Sequence, residues 1–143
     1  MLPPLLKKGD TIGIVSLGSP IRQNDLQKGI GSLTAMGYNV VLGKYAQKSS
    51  FPASSAAERA MDIMEMFYNP NIRMIMGSRG GTGVADILSY LDYKMIQKNP
   101  KLIVGYSDLS ILLNVIHQFT GLITYNAPML QDFQPDAPPF NVK

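Results

Sequence analysis

The chain has no cysteine, no tryptophan and a single histidine. Without cysteine there is no disulfide, no thiol nucleophile and no thiolate metal ligand. One histidine, His117, cannot build a histidine-rich metal centre. No stretch approaches the roughly 20 apolar residues of a membrane-spanning helix. The amino-terminal Met1-Leu2-Pro3-Pro4-Leu5-Leu6-Lys7-Lys8 is too short in its apolar part for a secretory signal, and its lysines follow that part instead of preceding it. Charge of one sign is also scarce. Thirteen Lys and Arg against ten Asp and Glu leave +3, with no dense basic run to hold nucleic acid. The expectation is a cytoplasmic domain with no metal, no cofactor, no nucleic-acid partner and no membrane association.

What is present suits a globular domain. The 143 residues, 45% hydrophobic and 16% charged, suffice for one core. The nine methionines read as adaptable core filling. Strand and helix patterns alternate along the chain. Residues 11–16 read as a buried strand. Asn24 or Asp25 is placed to cap a helix that runs to about Met36 and ends at Gly37. Residues 38–42 form a second strand. Ser55-Ala56-Ala57-Glu58 has capping-box spacing and opens a helix with Ala60, Ile63, Met64 and Phe67 on one face. Residues 72–76 form a third strand and lead into the glycine-rich 77–83. A short helix follows with Val84, Ile87, Leu88 and Leu91 inward. Residues 102–104 form a fourth strand and 122–124 a last one, separated by a helix from Ser107 to about Phe119. Lys94, Lys98 and Lys101 read as solvated surface. This alternation implies an α/β fold, an open and mainly parallel sheet with helices on both faces.

In such sheets the functional groups gather at the carboxyl ends of the strands. Three loops fall there: Leu17-Gly18-Ser19-Pro20, residues 77–83 and residues 105–108. The last has the form of a nucleophile elbow. A buried strand ends at Gly105, Ser107 stands at the turn, and Leu109, Leu112, Leu113 and Ile116 recur at helical spacing. The same residues have a plainer reading, in which Ser107 caps the helix and Asp108 complements its dipole. His117 cannot serve as the base, because ten residues of helix put it roughly 15 Å from Ser107.

The glycine-rich 77–83 also reads two ways, as a cradle of N–H groups for an anion or oxyanion, or simply as a tight turn. It fails the dinucleotide fingerprint, since Asp86 stands where the third small residue belongs, and no lysine follows Gly18 as a P-loop requires. Arg79 is placed either to bind a substrate carboxylate or to serve as an ordinary structural arginine. A non-catalytic anion- or peptide-binding module therefore stays open beside an enzyme.

Taken together, six segments resemble the LD-carboxypeptidase family, the serine peptidases that include muramoyltetrapeptide carboxypeptidases and microcin C self-immunity peptidases. They are residues 6–15, Arg79-Gly80-Gly81-Thr82-Gly83, Leu91-Asp92-Tyr93, Lys98-Asn99-Pro100-Lys101, Gly105-Tyr106-Ser107-Asp108 and Thr120-Gly121-Leu122. Their order and spacing agree with the family over nearly the whole chain. The resemblance implies a Rossmann-like amino-terminal domain with Ser107 as nucleophile. The N–H of Asp108, with that of Gly80 or Gly81, would form the oxyanion hole, while Arg79 and Thr82 would contact substrate. It further implies attack on the amide before a carboxy-terminal D-alanine of a murein tetrapeptide, as in peptidoglycan recycling, through an acyl-enzyme.

The family's base is a histidine oriented by a glutamate, both from a carboxy-terminal domain. Glu58 and Glu65 match neither role. The expectation is that residues 1–130 form the nucleophile-bearing domain and 131–143 begin a linker to that second domain, outside this chain. The isolated chain would then be inactive, and the full-length protein a homodimer. Two local departures stand out: Thr82 replaces the aromatic residue usual between the glycines, and Asn126-Ala127-Pro128 replaces His-Gly-Pro.

Overall fold

The computed structural model of the chain describes residues 1–47 and 54–136. Five strands form one wholly parallel sheet: β1 (Thr11–Val15), β2 (Asn39–Leu42), β3 (Ile72–Gly77), β4 (Leu102–Gly105) and β5 (Tyr125–Asn126), in the order β2-β1-β3-β4-β5. Register runs Ile14↔Leu42, Ile14↔Met76, Met76↔Val104 and Val104↔Tyr125 across the sheet. Strand order reverses between β1 and β3, and such switch points open a crevice beyond the carboxyl ends of the strands.

Both faces are covered, as the alternation predicts, and strand residues point alternately to each. Ile12, Ile14, Met76 and Val104 pack with Leu26 and Leu33 of α1 (Gln23–Ala35) and with Leu130 and Phe133. Val15, Ile75 and Ile103 pack on the other face. Their partners there are Ile63 and Phe67 of α2 (Ala56–Tyr68), Ile96 of α3 (Tyr93–Lys98), and Leu112 and Ile116 of α4 (Ser110–Thr120). The helix expected after residue 83 is a 3-10 helix, Val84–Tyr90, with Val84 and Ile87 buried.

The capping box forms as expected. The Glu58 N–H donates to Ser55 Oγ at 3.1 Å, and the Ser55 N–H donates to Glu58 Oε1 at 2.9 Å. Other expectations need correction. Helix α1 starts after Arg22, with no side-chain cap, because buried Ile21 anchors the entering chain. Asp25 instead lies in the first turn, where its charge suits the helix dipole. The last strand is residues 125–126, not 122–124. The Met1 amino group donates to the Gly121 carbonyl at 2.7 Å and the Ile123 N–H to the Met1 carbonyl at 2.9 Å, so this backbone is already paired away from β4. Helix α3 was not anticipated, although Asp92 caps it by accepting from the Met95 N–H at 3.0 Å.

Lys101 is not on a solvated surface but 7% exposed. Its ammonium donates to the Met66 carbonyl at 2.7 Å and to that of Asn69, closing the carboxyl end of α2. Burial, and then the nearby charge of Arg73, lower its pKa from the ordinary 10.5 to about 8.

In the proline-containing tail, a 3-10 turn at Leu130–Asp132 seats Leu130 against α1. Gly29 makes that contact possible, since a Cβ there would lie 2.6 Å from the Leu130 side chain. Residues 137–143, most of the expected linker, lie outside the described residues. No helix among the described residues is long and apolar enough to cross a membrane.

Candidate active site

The three loops singled out at the strand ends meet. After β1, the Ser19 N–H donates to the Gly80 carbonyl at 2.9 Å, and Ser19 Oγ accepts from the Thr82 N–H at 3.1 Å. After β4, Asp108 Oδ2 accepts from the Val84 N–H at 3.0 Å. The Asp108 carboxylate thus ties the elbow to the start of the 3-10 helix. These bonds are local consequences of sequence: glycines leave N–H and C=O groups uncovered, and short polar side chains bridge them.

Ser107 is exposed, with φ of 56°, and is the only non-glycine residue with positive φ among the described residues. A left-handed L-residue costs roughly 1–2 kcal/mol and persists only where its surroundings impose it. Here they do. Tyr106 is extended, and the Leu109 N–H returns to the Tyr106 carbonyl at 3.2 Å to start the helix. The side chain between them is turned outward at the amino end of α4.

Gly80 stands against the elbow: a methyl group on it would lie 3.3 Å from Ser107 Oγ and 3.5 Å from the Asp108 nitrogen. Among the described residues, the N–H groups of Gly80, Gly81 and Asp108 donate to no other protein atom. An exposed hydroxyl beside uncommitted N–H donors at a helix amino end is chemically equipped to attack a carbonyl and to stabilise the oxyanion that results. It is not equipped to deprotonate itself. Among the described residues no side chain hydrogen-bonds the Ser107 hydroxyl. His117 is exposed, with Nδ1 placed 2.9 Å from the Leu122 carbonyl oxygen.

Arg79 is half-buried beside this loop. Its guanidinium makes one long bond, 3.4 Å from Nη1 to the Pro20 carbonyl, while its buried Nε has no acceptor among the described residues. Thr82 is exposed, its backbone fixed by Ser19. No group of three or more His, Asp or Glu among the described residues is arranged to hold a metal ion.

The sequence reading missed two contributors. Arg59, 8% exposed, donates from Nη1 to the Leu17 carbonyl and, at 3.0 Å, to the Gly83 carbonyl. It clamps the loops after β1 and β3 together from α2. The available signal was its register. Arg59, Asp62, Ile63 and Met66 share a face at helical spacing, and all are buried. The second is Tyr106, whose hydroxyl donates to Asp132 Oδ1 at 3.0 Å. Burial, and then this bond, raise its pKa.

Comparison with known proteins agrees with this geometry. Residues 12–127 match the family described as the LD-carboxypeptidase N-terminal domain. A probable murein peptide carboxypeptidase of Bacillus subtilis is 36% identical over 129 residues, covering 90% of this chain and 40% of the relative. The microcin C7 self-immunity protein MccF of Escherichia coli is 40% identical over 134 residues, covering 91% of this chain and 39% of the relative. Among solved structures, MccF in its wild-type apo state superposes with a TM-score of 0.92 at 38% identity, over 99% of this chain and 43% of that one. The muramoyltetrapeptide carboxypeptidase of Oxalobacter formigenes gives 0.83 at 29% identity, over 92% of this chain and 45% of that one. The chain therefore spans about 40% of the length of the curated relatives it matches, and it belongs to the LD-carboxypeptidase family, of which it carries the N-terminal domain.

Proposed function

We propose that this chain is the nucleophile-bearing half of a cytoplasmic, dimeric serine carboxypeptidase that removes a carboxy-terminal D-alanine from a murein tetrapeptide. Ser107 attacks the carbonyl of the scissile amide. The N–H groups of Asp108 and of Gly80 or Gly81 receive the developing oxyanion, and the leaving D-alanine takes the proton. Water then releases the acyl group from Ser107. Arg79 takes the substrate's terminal carboxylate, with Thr82 beside it. A histidine and a glutamate from a second domain supply the base that the described residues do not hold against Ser107.

The observation that carries this reading is the left-handed Ser107 with Gly80 packed on it. The test is release of D-alanine from murein tetrapeptide by the chain alone and by the chain joined to a family carboxy-terminal domain. The joined protein should turn over. The chain alone should fall at least about 10⁴-fold below it, the usual scale of triad loss. Release that survives Ser107→Ala would sink the proposal.

A second reading places the substrate among aminoacyl-nucleotide antibiotics. It is favoured by the closer superposition on MccF, which is also known in complex with aspartyl sulfamoyl adenosine. Cleavage of such a conjugate in preference to the tetrapeptide would select it.

A further inference from the structure

The loops after β1 and β3 stay joined beyond the ends of their strands. The Ser78 N–H donates to the Val15 carbonyl at 2.8 Å, and the buried hydroxyls of Ser16 and Ser78 share a hydrogen bond of 2.5 Å. Ser19 then makes two bonds to the loop after β3. Its N–H donates to the Gly80 carbonyl at 2.9 Å, and its Oγ accepts from the Thr82 N–H at 3.1 Å. Between those two anchored groups lies the Gly81 N–H, which donates to no protein atom among the described residues.

This pattern gives the Gly81 N–H a direction. A peptide bond before a residue other than proline is trans, so its C=O and N–H point opposite ways. The Gly80 carbonyl faces the loop after β1. The N–H of the same peptide unit, which belongs to Gly81, therefore faces away from that loop. In the sheet β3 lies between β1 and β4, so away from the β1 loop is toward the β4 loop and Ser107. The Thr82 N–H is already taken by Ser19. The Gly80 N–H belongs to the preceding peptide unit, which Ser19 does not bond.

The orientation needs a lock. The 80–81 peptide unit has a glycine on each side, the arrangement that turns over with least steric resistance. Turned over, it would aim the Gly80 oxygen at the elbow, and an oxyanion there would meet the negative end of a dipole. Gly18 leaves room for the present orientation, since a Cβ on it would lie 2.4 Å from the Gly80 oxygen. We propose that Ser19 is a positioning residue that holds the 80–81 peptide unit with the Gly81 N–H toward Ser107, which makes Gly81 and not Gly80 the second oxyanion donor. The orientation rests on the hydrogen bonds, whereas its use in catalysis rests on the carboxypeptidase reading.

The orientation can be tested without catalysis. In the ¹³C,¹⁵N-labelled 143-residue chain, a through-hydrogen-bond coupling should join the Ser19 nitrogen to the Gly80 carbonyl carbon. Gly18→Ala should abolish it. In the chain joined to a family carboxy-terminal domain, Gly18→Ala should lower kcat by about 10²-fold or more, the scale of one lost oxyanion donor, with KM changed by less than about threefold. Ser19→Ala, which loses only Oγ, should weaken the coupling, speed exchange of the Thr82 amide and lower kcat by about tenfold. Absence of the coupling in the parent chain overturns the proposal. So does a kcat within about twofold of the parent in Gly18→Ala or, where that variant does not fold, in Ser19→Ala. A joined protein that releases no D-alanine while the coupling is present keeps the orientation and rejects the carboxypeptidase reading.

Discussion

The two turns that flank the site solve the same geometric problem differently. After β3 the chain reaches left-handed backbone with glycine, at Gly81 (φ 90°) and Gly83 (φ 100°). After β4 it reaches it with Ser107. Glycine adopts that conformation without steric cost, so the first turn is cheap and presents only backbone. The second accepts strain in order to present a hydroxyl. The β3 turn is in exchange heavily braced, by Ser19, by Asp108 and by Arg59. Strain is confined to the one position where a side chain is needed, and N–H donors come from the position where none is needed.

Replacing the strained residue breaks this comparison most severely. In the chain joined to a family carboxy-terminal domain, Ser107→Ala and Ser107→Gly should each lose at least about 10⁴ in kcat. Their stabilities should diverge. Alanine keeps the Cβ and its strain, while glycine sheds it, so Ser107→Gly should be the more stable by about 1 kcal/mol in urea unfolding. Equal stabilities would mean that the backbone at 107 relaxes once the hydroxyl is gone.

The glycine turn gives the next effect. At Gly81 a Cβ would fall 2.0 Å from Ser19 Oγ, on backbone already at φ 90°. Gly81→Ala should cost about 2–4 kcal/mol of stability. Gly80 has an ordinary φ, and its added Cβ would lie 3.3 Å from the Ser107 side chain and 3.5 Å from the Asp108 nitrogen, both tolerable distances. Gly80→Ala should therefore fold with a loss of about 1 kcal/mol or less, yet lower kcat by roughly tenfold or more through displacement of the nucleophile. Thermal unfolding beside kinetics separates the two. A Gly80→Ala variant with full activity would remove Gly80 from the site.

Arg59 tests the bracing. Arg59→Met leaves the Leu17 and Gly83 carbonyls without their donor and should cost about 2–3 kcal/mol. Arg59→Lys should recover little of it, because one ammonium cannot repeat a guanidinium that also donates from Nε to the Ser54 carbonyl at 3.1 Å. A full rescue by lysine would show that charge alone is needed.

These positions also mark what the sequence could disclose. The order of the strands, the capping box at Ser55 and the three loops at the strand ends were legible, because each depends on periodicity or on residues a few positions apart. Ser107 was legible as a candidate from the strand, turn and helix around it. Arg59 and Lys101 were not. Each is a charged residue whose burial depends on carbonyls far away in sequence, at Leu17 and Gly83 or at Met66 and Asn69. The shift of the last strand to 125–126 has a similar source, since Met1 holds residues 121–123 from 120 positions away.

Lys101 supplies the control for all of this, at the opposite rim of the sheet. Helix α2 has a buried cation at each end: Arg59 toward the loops of the site, and Lys101 closing its carboxyl end. Lys101→Met should cost about 1–2 kcal/mol by leaving two carbonyls unpaired, while amide shifts around Ser107 stay unchanged. The cost should also depend on pH. The folded chain releases the Lys101 proton near pH 8, and the unfolded chain only near the ordinary 10.5. Between these values the unfolded state binds more protons, so the contribution of Lys101 to stability rises with pH. Urea unfolding of both proteins should thus show a larger cost of Lys101→Met at about pH 10 than at about pH 7. A cost that is flat or falling over that window would mean that the two carbonyls hold the ammonium charged against its burial. Lys101 would then grip its helix end as firmly as Arg59 grips the loops, and the two rims would differ only in which of them faces substrate.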